Sequence, residues 1–323
     1  MNNKHLLTRQ VEEYIAYKQG LGFQISVNSQ ELRRFAKYAK DNGHHHSLTV
    51  DLALRWASLD PNYSRWYMAR RLEIIHTFAK YAVVFDYKTE IPPTGIFGKC
   101  HGRTTPYIIS EAEINLLMHR AKQLLSPDGL RAITVSTALG LMWSAGLRPS
   151  EFCNLLISDV DLGQGILLIR ETKHSKDRLV PLHLKTREAL SKYAAKRDFL
   201  CPATTSEHFF LSTKGNPIKL RDLEYAMQIL RPCLLPEGQT DWPLRAPRLY
   251  DLRHSFACNT IKRWLENNED VNHKMVILSA YMGHVKPTDT YWYLTGTPEL
   301  FALAGGKYEN FVASFYAGDD HER

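Results

Sequence analysis

Apolar residues in the first third of the chain recur every three or four positions, which is the spacing of one face of an α-helix. Val11, Tyr14 and Ile15 form the first such stripe, and the pattern stops near Gly20 and Gly22. Glycine is favoured just beyond a helix end, so these positions predict a short helix that ends there.

Three more helices are predicted before the first proline pair. Asn28 with Glu31 has the spacing of a capping box at the start of a helix. Thr49 is placed to cap the next helix. A longer helix is predicted over residues 63–84, because its apolar positions form one stripe that belongs to a core. The N-terminal part of the chain is therefore predicted to be a set of helices.

The helical pattern breaks at residues 91–106, which are rich in proline, glycine, threonine and basic side chains. This composition is typical of a linker between domains. The length of 323 residues also suits two domains. We therefore predict a helical domain over residues 1–95, a linker over residues 96–106 and a second domain over residues 107–323.

The second domain combines helices with one short pair of strands. Ser110 and Glu113 form a capping box, and a later helix is expected to end at Gly146. Two short apolar runs, 166–169 and 178–182, flank a polar turn and predict a β-hairpin. The fold class is therefore mainly α with a small antiparallel sheet. Four more helices are predicted over residues 186–197, 222–230, 252–264 and 271–280.

Composition narrows the class of protein only modestly. The net charge is +7 and the isoelectric point is about 9.0, which suits a polyanionic partner but also an ordinary basic enzyme. The five cysteines are scattered without a C-x-x-C pair, so we expect reduced thiols and no zinc site. The polar N-terminus and the lack of a long apolar run predict a soluble, cytoplasmic protein without a membrane span.

Three consecutive histidines, His44, His45 and His46, follow the second predicted helix. Metal binding is one interpretation, but adjacent side chains do not readily face one ion. We favour a solvated loop.

Four segments of the second domain carry residues suited to metal-free cleavage of DNA. That chemistry needs a nucleophile, cations on the non-bridging phosphate oxygens and an acid for the leaving oxygen. A tyrosine can attack, two arginines can clamp the phosphate, and a lysine can supply the proton. No cluster of acidic residues points to a two-metal site. The segments are residues 146–151, 172–182, 250–257 and 283–294.

These segments, in this order and spacing, resemble the conserved boxes of the tyrosine recombinases, the phage integrases and Xer-type recombinases. The resemblance covers about two-thirds of the chain, from Pro106 onward. It implies a helical, SAM-like core-binding domain followed by a mixed α/β catalytic domain. The positions that match the family's catalytic residues are Arg148, Lys173, Arg253, His284 and Tyr293, with Glu151 as a supporting acid and Lys176 as the rival of Lys173.

The resemblance also implies a reaction and its partners. The nucleophilic tyrosine would form a 3′-phosphotyrosyl link, without a nucleotide cofactor or a metal. The partners would be double-stranded DNA with a specific recombination site and three further copies of the chain, in a homo-tetramer on that DNA. The apolar segment after residue 297 would then dock on a neighbouring subunit. A nucleoid-associated location follows.

The sequence departs from the family pattern at Tyr250, where a histidine usually stands. A tyrosine can donate a hydrogen bond to a phosphate oxygen, but it cannot carry charge as imidazole can. Spacing from His284 favours Tyr293 over Tyr291 as the nucleophile, since residues two apart do not share a helix face. His254 is interpreted as mainly structural.

The long predicted helix of the first domain carries basic residues opposite its apolar stripe. They form either an ordinary solvated face or a set of phosphate contacts, which position a duplex without reading its sequence. The candidate DNA contacts are Arg65, Arg70 and Arg71 on this helix, together with Lys176 in the hairpin turn.

Residues 288–300 are similar to recombinases borne on transposons and related mobile elements. This suggests integration, excision or cointegrate resolution, with an accessory DNA-binding protein as a further partner. The alternatives are a type IB topoisomerase, a non-catalytic DNA-binding protein on the same scaffold, and an unrelated basic helical protein. Dependence on a specific paired site would separate a recombinase from a topoisomerase.

Overall fold

A computed structural model describes residues 5–23, 26–100, 105–170, 177–243, 245–284 and 286–295. Their contacts divide the chain into two compact units, Met1–Thr104 and Thr105–Arg323. Most of the described residues are helical, and one small sheet lies in the second unit. The predicted fold class is therefore confirmed. The assignment of separate functions to the two parts stays a prediction.

The first unit is a bundle around large apolar side chains. Phe35, Trp56 and Phe78 are fully buried in its core. The predicted linker residue Phe97 also packs against this core. The helices of this unit are α1 (Leu6–Gly20), α2 (Ser26–Asp41), α3 (Val50–Ala57) and α4 (Arg65–Ala82).

One of the two predicted helix caps in this unit is present. Thr49 caps α3 as predicted, since its hydroxyl accepts the backbone N–H of Leu52 at 3.2 Å. The capping box at Asn28 is wrong, because α2 already begins at Ser26. The Asn28 side chain instead accepts a hydrogen bond from Arg70 on α4.

The second unit contains eight described helices around one large core and a smaller C-terminal cluster. The Ser110 capping box of its first helix is confirmed. The helices are α5 (Glu111–Ala121), α6 (Leu130–Ala145), α7 (Pro149–Asn154), α8 (Leu184–Leu200), α9 (Leu220–Leu230), α10 (Asp251–Glu266), α11 (Val271–Met282) and α12 (Thr288–Thr295).

The sheet has three antiparallel strands, β1 (Val160–Asp161), β2 (Ile166–Ile169) and β3 (Arg178–Pro181), in that order. In the predicted hairpin, Leu167 lies opposite Val180, and both side chains are buried. The two-residue strand β1 was not predicted, because it is too short to show an alternating pattern.

Gly146 ends α6, as predicted, and turns the chain toward the candidate site. Its φ of 62° lies in the left-handed region that glycine adopts without strain. A Cβ at this position would lie 2.4 Å from Cδ1 of Phe256 on α10. Both the backbone conformation and the packing therefore require glycine here.

None of the described helices is long and apolar enough to cross a membrane. The predicted docking segment after residue 297 lies outside the described residues.

Candidate active site

Arg148 leaves the Gly146 turn and is the first of the predicted catalytic residues. It is the N-cap of α7, and its backbone N–H donates to Oε2 of Glu151 at 2.9 Å. Its guanidinium donates from Nη1 to Oε1 of Glu151 at 2.6 Å and from Nη2 to the carbonyl of Gly283 at 3.0 Å. Arg148 therefore connects the predicted segment 146–151 to the turn that precedes His284.

Arg253 lies in the first turn of α10 and is fully buried. Its Nη1 donates to the carbonyl of Gly146 at 2.6 Å, and Nη2 donates to the carbonyl of Met282. Its Nε is buried and has no hydrogen-bond partner within the described parts of the protein. Burial and the nearby Arg148 charge lower the pKa of Arg253 to about 10, so the side chain remains charged at neutral pH.

His284 follows Gly283, whose left-handed conformation ends α11. Its Nε2 lies 3.3 Å from Nη2 of Arg253, and its Nδ1 lies 2.7 Å from the hydroxyl oxygen of Thr290 on α12. These two contacts fix the imidazole from both sides. The predicted segment that contains Arg253 and the one that contains His284 are thus in contact.

The two candidate nucleophiles, Tyr291 and Tyr293, lie on different faces of α12. Tyr293 is buried, at 3% exposure, in the apolar cluster of α10 and α11, whereas Tyr291 is 38% exposed. The Tyr293 ring stacks on the His284 ring with the centroids 6.1 Å apart. The structure therefore places Tyr293 beside His284, while Tyr291 lies on the exposed side of the helix.

Tyr250 is the N-cap residue of α10 and is 41% exposed. Its ring lies edge-on to the ring of His254, 5.2 Å between centroids. His254 also contacts Tyr293, at 5.5 Å, and burial lowers the pKa of its imidazole to about 4. His254 is therefore neutral at pH 7, and it connects the exposed Tyr250 with the buried Tyr293.

Arg178, at the start of β3, also belongs to this cluster. Only its position after the polar turn could have indicated this from the sequence. It forms a two-pronged ion pair with Glu151, at 2.8 and 2.7 Å. Its Nε donates to the carbonyl of Tyr281 at 2.9 Å. The contacts of Arg178 and Arg148 hold the pKa of Glu151 at about 2, against the opposing effect of burial.

Lys173 and Lys176 lie outside the described residues, so the proton donor predicted from the hairpin turn has no structural account here. Among the described residues, no group of three His, Cys, Asp or Glu side chains is placed to hold a metal ion.

The three arginines predicted to contact DNA from α4 differ in their surroundings. Arg65 is exposed, and Arg70 pairs with Glu73 as well as Asn28. Arg71 is buried at 4% exposure, with its guanidinium 3.8 Å from the centroid of the Trp56 ring. The prediction for Arg71 is therefore corrected: it is a packed cation of the domain core, because aromatic rings from neighbouring segments cover it.

The arrangement joins two fixed guanidiniums, one imidazole and one tyrosine within contacts that span α7, α10, α11 and α12. Guanidiniums match phosphate oxygens by their forked geometry, and a tyrosine can act as a nucleophile. The described groups thus include a candidate nucleophile and cations suited to a phosphate.

Comparison with known proteins agrees with this chemistry. The model of the phage integrase family matches residues 108–299. An integrase/recombinase of Sinorhizobium fredii is 37% identical over 303 residues, which cover 93% of this chain and 96% of that protein. The tyrosine recombinase XerC of Proteus mirabilis is 29% identical over 70% of this chain and 66% of its own length.

Solved structures share the fold at low sequence identity. The Tn1549 transposon integrase, in complex with transposon right end DNA, superposes with a TM-score of 0.65 and 14% identity, over 94% of this chain and 99% of that chain. The XerH recombinase bound to a palindromic difH substrate gives a TM-score of 0.62 and 15% identity, over 94% and 85% of the two chains. The family model, the curated relatives and the assembled site lead to one conclusion: the chain belongs to the phage integrase family and is a tyrosine-type site-specific recombinase.

Proposed function

We propose that this recombinase cuts DNA by attack of Tyr293 on a scissile phosphate. The Tyr293 oxygen bonds to phosphorus, the bond to the 5′ oxygen breaks, and a 3′-phosphotyrosyl link remains with a free 5′ hydroxyl. The phenol gives its proton to His284, the proposed acceptor, whose ring stacks on that of Tyr293. The leaving 5′ oxygen gains a proton, for which Lys173 is the proposed donor. A 5′ hydroxyl from a partner duplex then reverses the step.

The stacking of Tyr293 on His284, which itself contacts Arg253, is the observation that carries this proposal. Arg148, Arg253 and His284 would hold the non-bridging oxygens, and donors so placed can each contribute about 3–4 kcal/mol of transition-state stabilisation. Tyr250 would add one neutral hydrogen bond from the exposed side. Because Tyr293 is only 3% exposed, α12 must shift before the phenol meets a duplex phosphate.

The proposed substrate is double-stranded DNA with a specific recombination site, and the proposed assembly is a homo-tetramer on that DNA. Related folds have been solved with transposon end DNA and with a palindromic recombination substrate, which supports this substrate class. The likeness to a transposon integrase and the sequence of residues 288–300 support a role in integration, excision or cointegrate resolution of a mobile element. An accessory DNA-binding protein is a further proposed partner.

Covalent trapping on nicked DNA tests the nucleophile and the reaction together. Substrates would carry the terminal and resolution sequences of the DNA that bears the gene. A nick would lie a few nucleotides to the 3′ side of the candidate cleavage position, so that the short fragment with the new 5′ hydroxyl is lost after cleavage. We expect the wild-type protein to give a denaturant-resistant adduct in the presence of a chelator. Tyr293→Phe should abolish the adduct.

Tyr291→Phe is the matched control, because it also removes a phenol hydroxyl from α12, but on the exposed face of the helix. It should retain the adduct. Loss of the adduct only in Tyr291→Phe would move the nucleophile. Binding of wild-type protein without an adduct would favour a non-catalytic DNA-binding protein, and cleavage that ignores the site sequence would favour a topoisomerase.

A further inference from the structure

Arg178 has no role in the proposed reaction, yet it is one of the most constrained side chains of the site. Its side chain is 10% exposed, and it forms the first residue of β3, directly after the hairpin turn. Its forked pair with Glu151 and its bond to the carbonyl of Tyr281 use all three of its nitrogens. Such a forked pair fixes both charge and orientation.

Glu151 is shared between two cations. It accepts from the Arg148 guanidinium through Oε1 alone, whereas Arg178 engages both of its oxygens. The side chain of Glu151 is 7% exposed, so its charge is not screened by solvent. A carboxylate in that position attracts whichever guanidinium is available.

The phosphate chemistry needs Arg148 to be available. If Arg178 were absent, Glu151 would pair with Arg148 alone and neutralise it. With Arg178 present, the carboxylate is already compensated, and Arg148 with Arg253 keeps a net positive charge for the phosphate. The two arginines that pair with Glu151 therefore have different tasks.

The backbone before His284 also binds Arg178 and the two proposed phosphate-binding arginines through separate carbonyls. The carbonyls of Tyr281, Met282 and Gly283 accept hydrogen bonds from Arg178, Arg253 and Arg148 respectively. A Cβ on Gly283 would lie 3.1 Å from Nη1 of Arg178, so the guanidinium packs directly against this turn. Arg178 is thus in contact with the segment that orients His284.

We propose that Arg178 is a positioning residue of recombination, which holds the Glu151 charge so that Arg148 can bind the scissile phosphate and which fixes the turn that presents His284. This inference rests on the proposed function. It makes Arg178 act through Arg148 and His284, and Arg178 itself touches no reacting atom.

The test measures single-turnover adduct formation on the nicked DNA at saturating protein, for wild type, Arg178→Met, Arg178→Lys, Glu151→Gln and the double variant Arg178→Met/Glu151→Gln. Arg178→Met should slow cleavage roughly 100-fold, as expected for a displaced catalytic group, with a much smaller change in the DNA dissociation constant. Arg178→Lys, which keeps the charge without the fork, should be intermediate.

The double variant distinguishes charge control from a merely structural role. Removing the uncompensated carboxylate should restore at least about tenfold of the rate lost in Arg178→Met, because interacting residues are not additive. The pH profile gives a second readout. Without Arg178 the pKa of Glu151 rises, so the rate of Arg178→Met relative to wild type should increase as the pH falls, and the double variant should not show this increase.

Three results would overturn the inference. They are a wild-type rate for Arg178→Met, a double variant slower than Arg178→Met, and a rate ratio that does not change with pH. If Arg178→Met does not fold, as judged by circular dichroism, the same comparison is made between Arg178→Lys and Arg178→Lys/Glu151→Gln. If wild type forms no adduct, the proposed function fails first, and the inference fails with it.

Discussion

Tyr250 stands at the solvent side of the site, where its hydroxyl is available and its ring is supported by His254. A neutral hydroxyl that donates to a charged phosphate oxygen contributes about 1.5 kcal/mol, which is less than a charged donor contributes. The substitution from the family's usual histidine therefore exchanges a group that can titrate near neutral pH for one that cannot. In the proposed mechanism, Tyr250 would therefore act as a hydrogen-bond donor only.

Removal of this hydroxyl should have a modest effect. We expect Tyr250→Phe to slow adduct formation roughly tenfold, which corresponds to one lost hydrogen bond, while DNA affinity and the thermal unfolding midpoint stay close to wild type. The matched control is Tyr225→Phe on α9, which removes the hydroxyl of another exposed tyrosine. Equal rates for Tyr250→Phe and wild type would show that Tyr250 does not contact the phosphate.

The residues of the site differ in how far a sequence can indicate them. Arg148, Arg253, His284 and Tyr293 stand out because their chemistry is distinctive and their order matches a known family. Arg178 does not, since its importance comes from a pairing with Glu151, 27 positions away in the chain. A long-range ion pair leaves no local pattern.

At the scale of single elements, α7 depends on one carboxylate. Glu151 accepts the backbone N–H of Arg148 and binds two guanidiniums, so it connects the start of this six-residue helix to β3. Its pKa of about 2 lies below the ordinary value of 4.5, which means that the folded state favours the ionised form. The stabilisation is therefore complete above pH 4.5 and is lost as the pH falls toward 2.

This linkage predicts an acid-dependent difference between wild type and Glu151→Gln. The shift corresponds to about 3 kcal/mol of stability near neutral pH. In urea unfolding of the second unit, Glu151→Gln should be less stable than wild type at pH 7, and the difference should shrink as the pH approaches 3. Glu188→Gln, an exposed carboxylate on α8, serves as the control. A difference that is independent of pH would contradict the assignment.

Elements were predictable where the signal was local. The caps at Thr49 and Ser110, and the glycine end of α6, each follow from a few adjacent residues. The start of α2 was missed because a capping-box spacing at Asn28 also occurs inside a helix, where the side chain bonds to α4 instead. Such tertiary hydrogen bonds outweigh a local preference.

For the whole molecule, the net charge of +7 does not show which cations are free to meet DNA. Arg71 is stacked in the core of the first unit, and Arg178 is committed to Glu151. Sequence patterning treated Arg70 and Arg71 alike because they are adjacent. Adjacent helical residues point about 100° apart, so one can be buried while the other remains near the surface.

Two substitutions in α4 should separate folding from DNA binding. Arg71→Leu should lower the stability of the first unit by about 2 kcal/mol, because it removes the cation from the aromatic rings. Arg65→Gln should leave the thermal midpoint unchanged. It should weaken DNA binding uniformly across sequences and reduce the slope of log affinity against log salt by about one.

Titration of labelled DNA at several salt concentrations, alongside thermal melts, would measure both effects. An unchanged salt slope in Arg65→Gln would show that the exposed face of α4 does not meet the backbone of the duplex. A large loss of affinity in folded Arg71→Leu would restore Arg71 as a DNA contact.

Tyr293 is enclosed by its own domain, and this has a consequence for the genome that hosts the protein. As the proposed nucleophile, a tyrosine that is 3% exposed would not attack each duplex that the protein meets during a search. Under the proposed mechanism, cleavage of a strand is separated from the search along DNA, since Tyr293 would attack only after α12 has been displaced. The burial of Tyr293 would thus limit cleavage at unrelated sites. We expect a substitution that loosens the packing of α12 to increase strand breaks at unrelated sites before it increases recombination at the correct site.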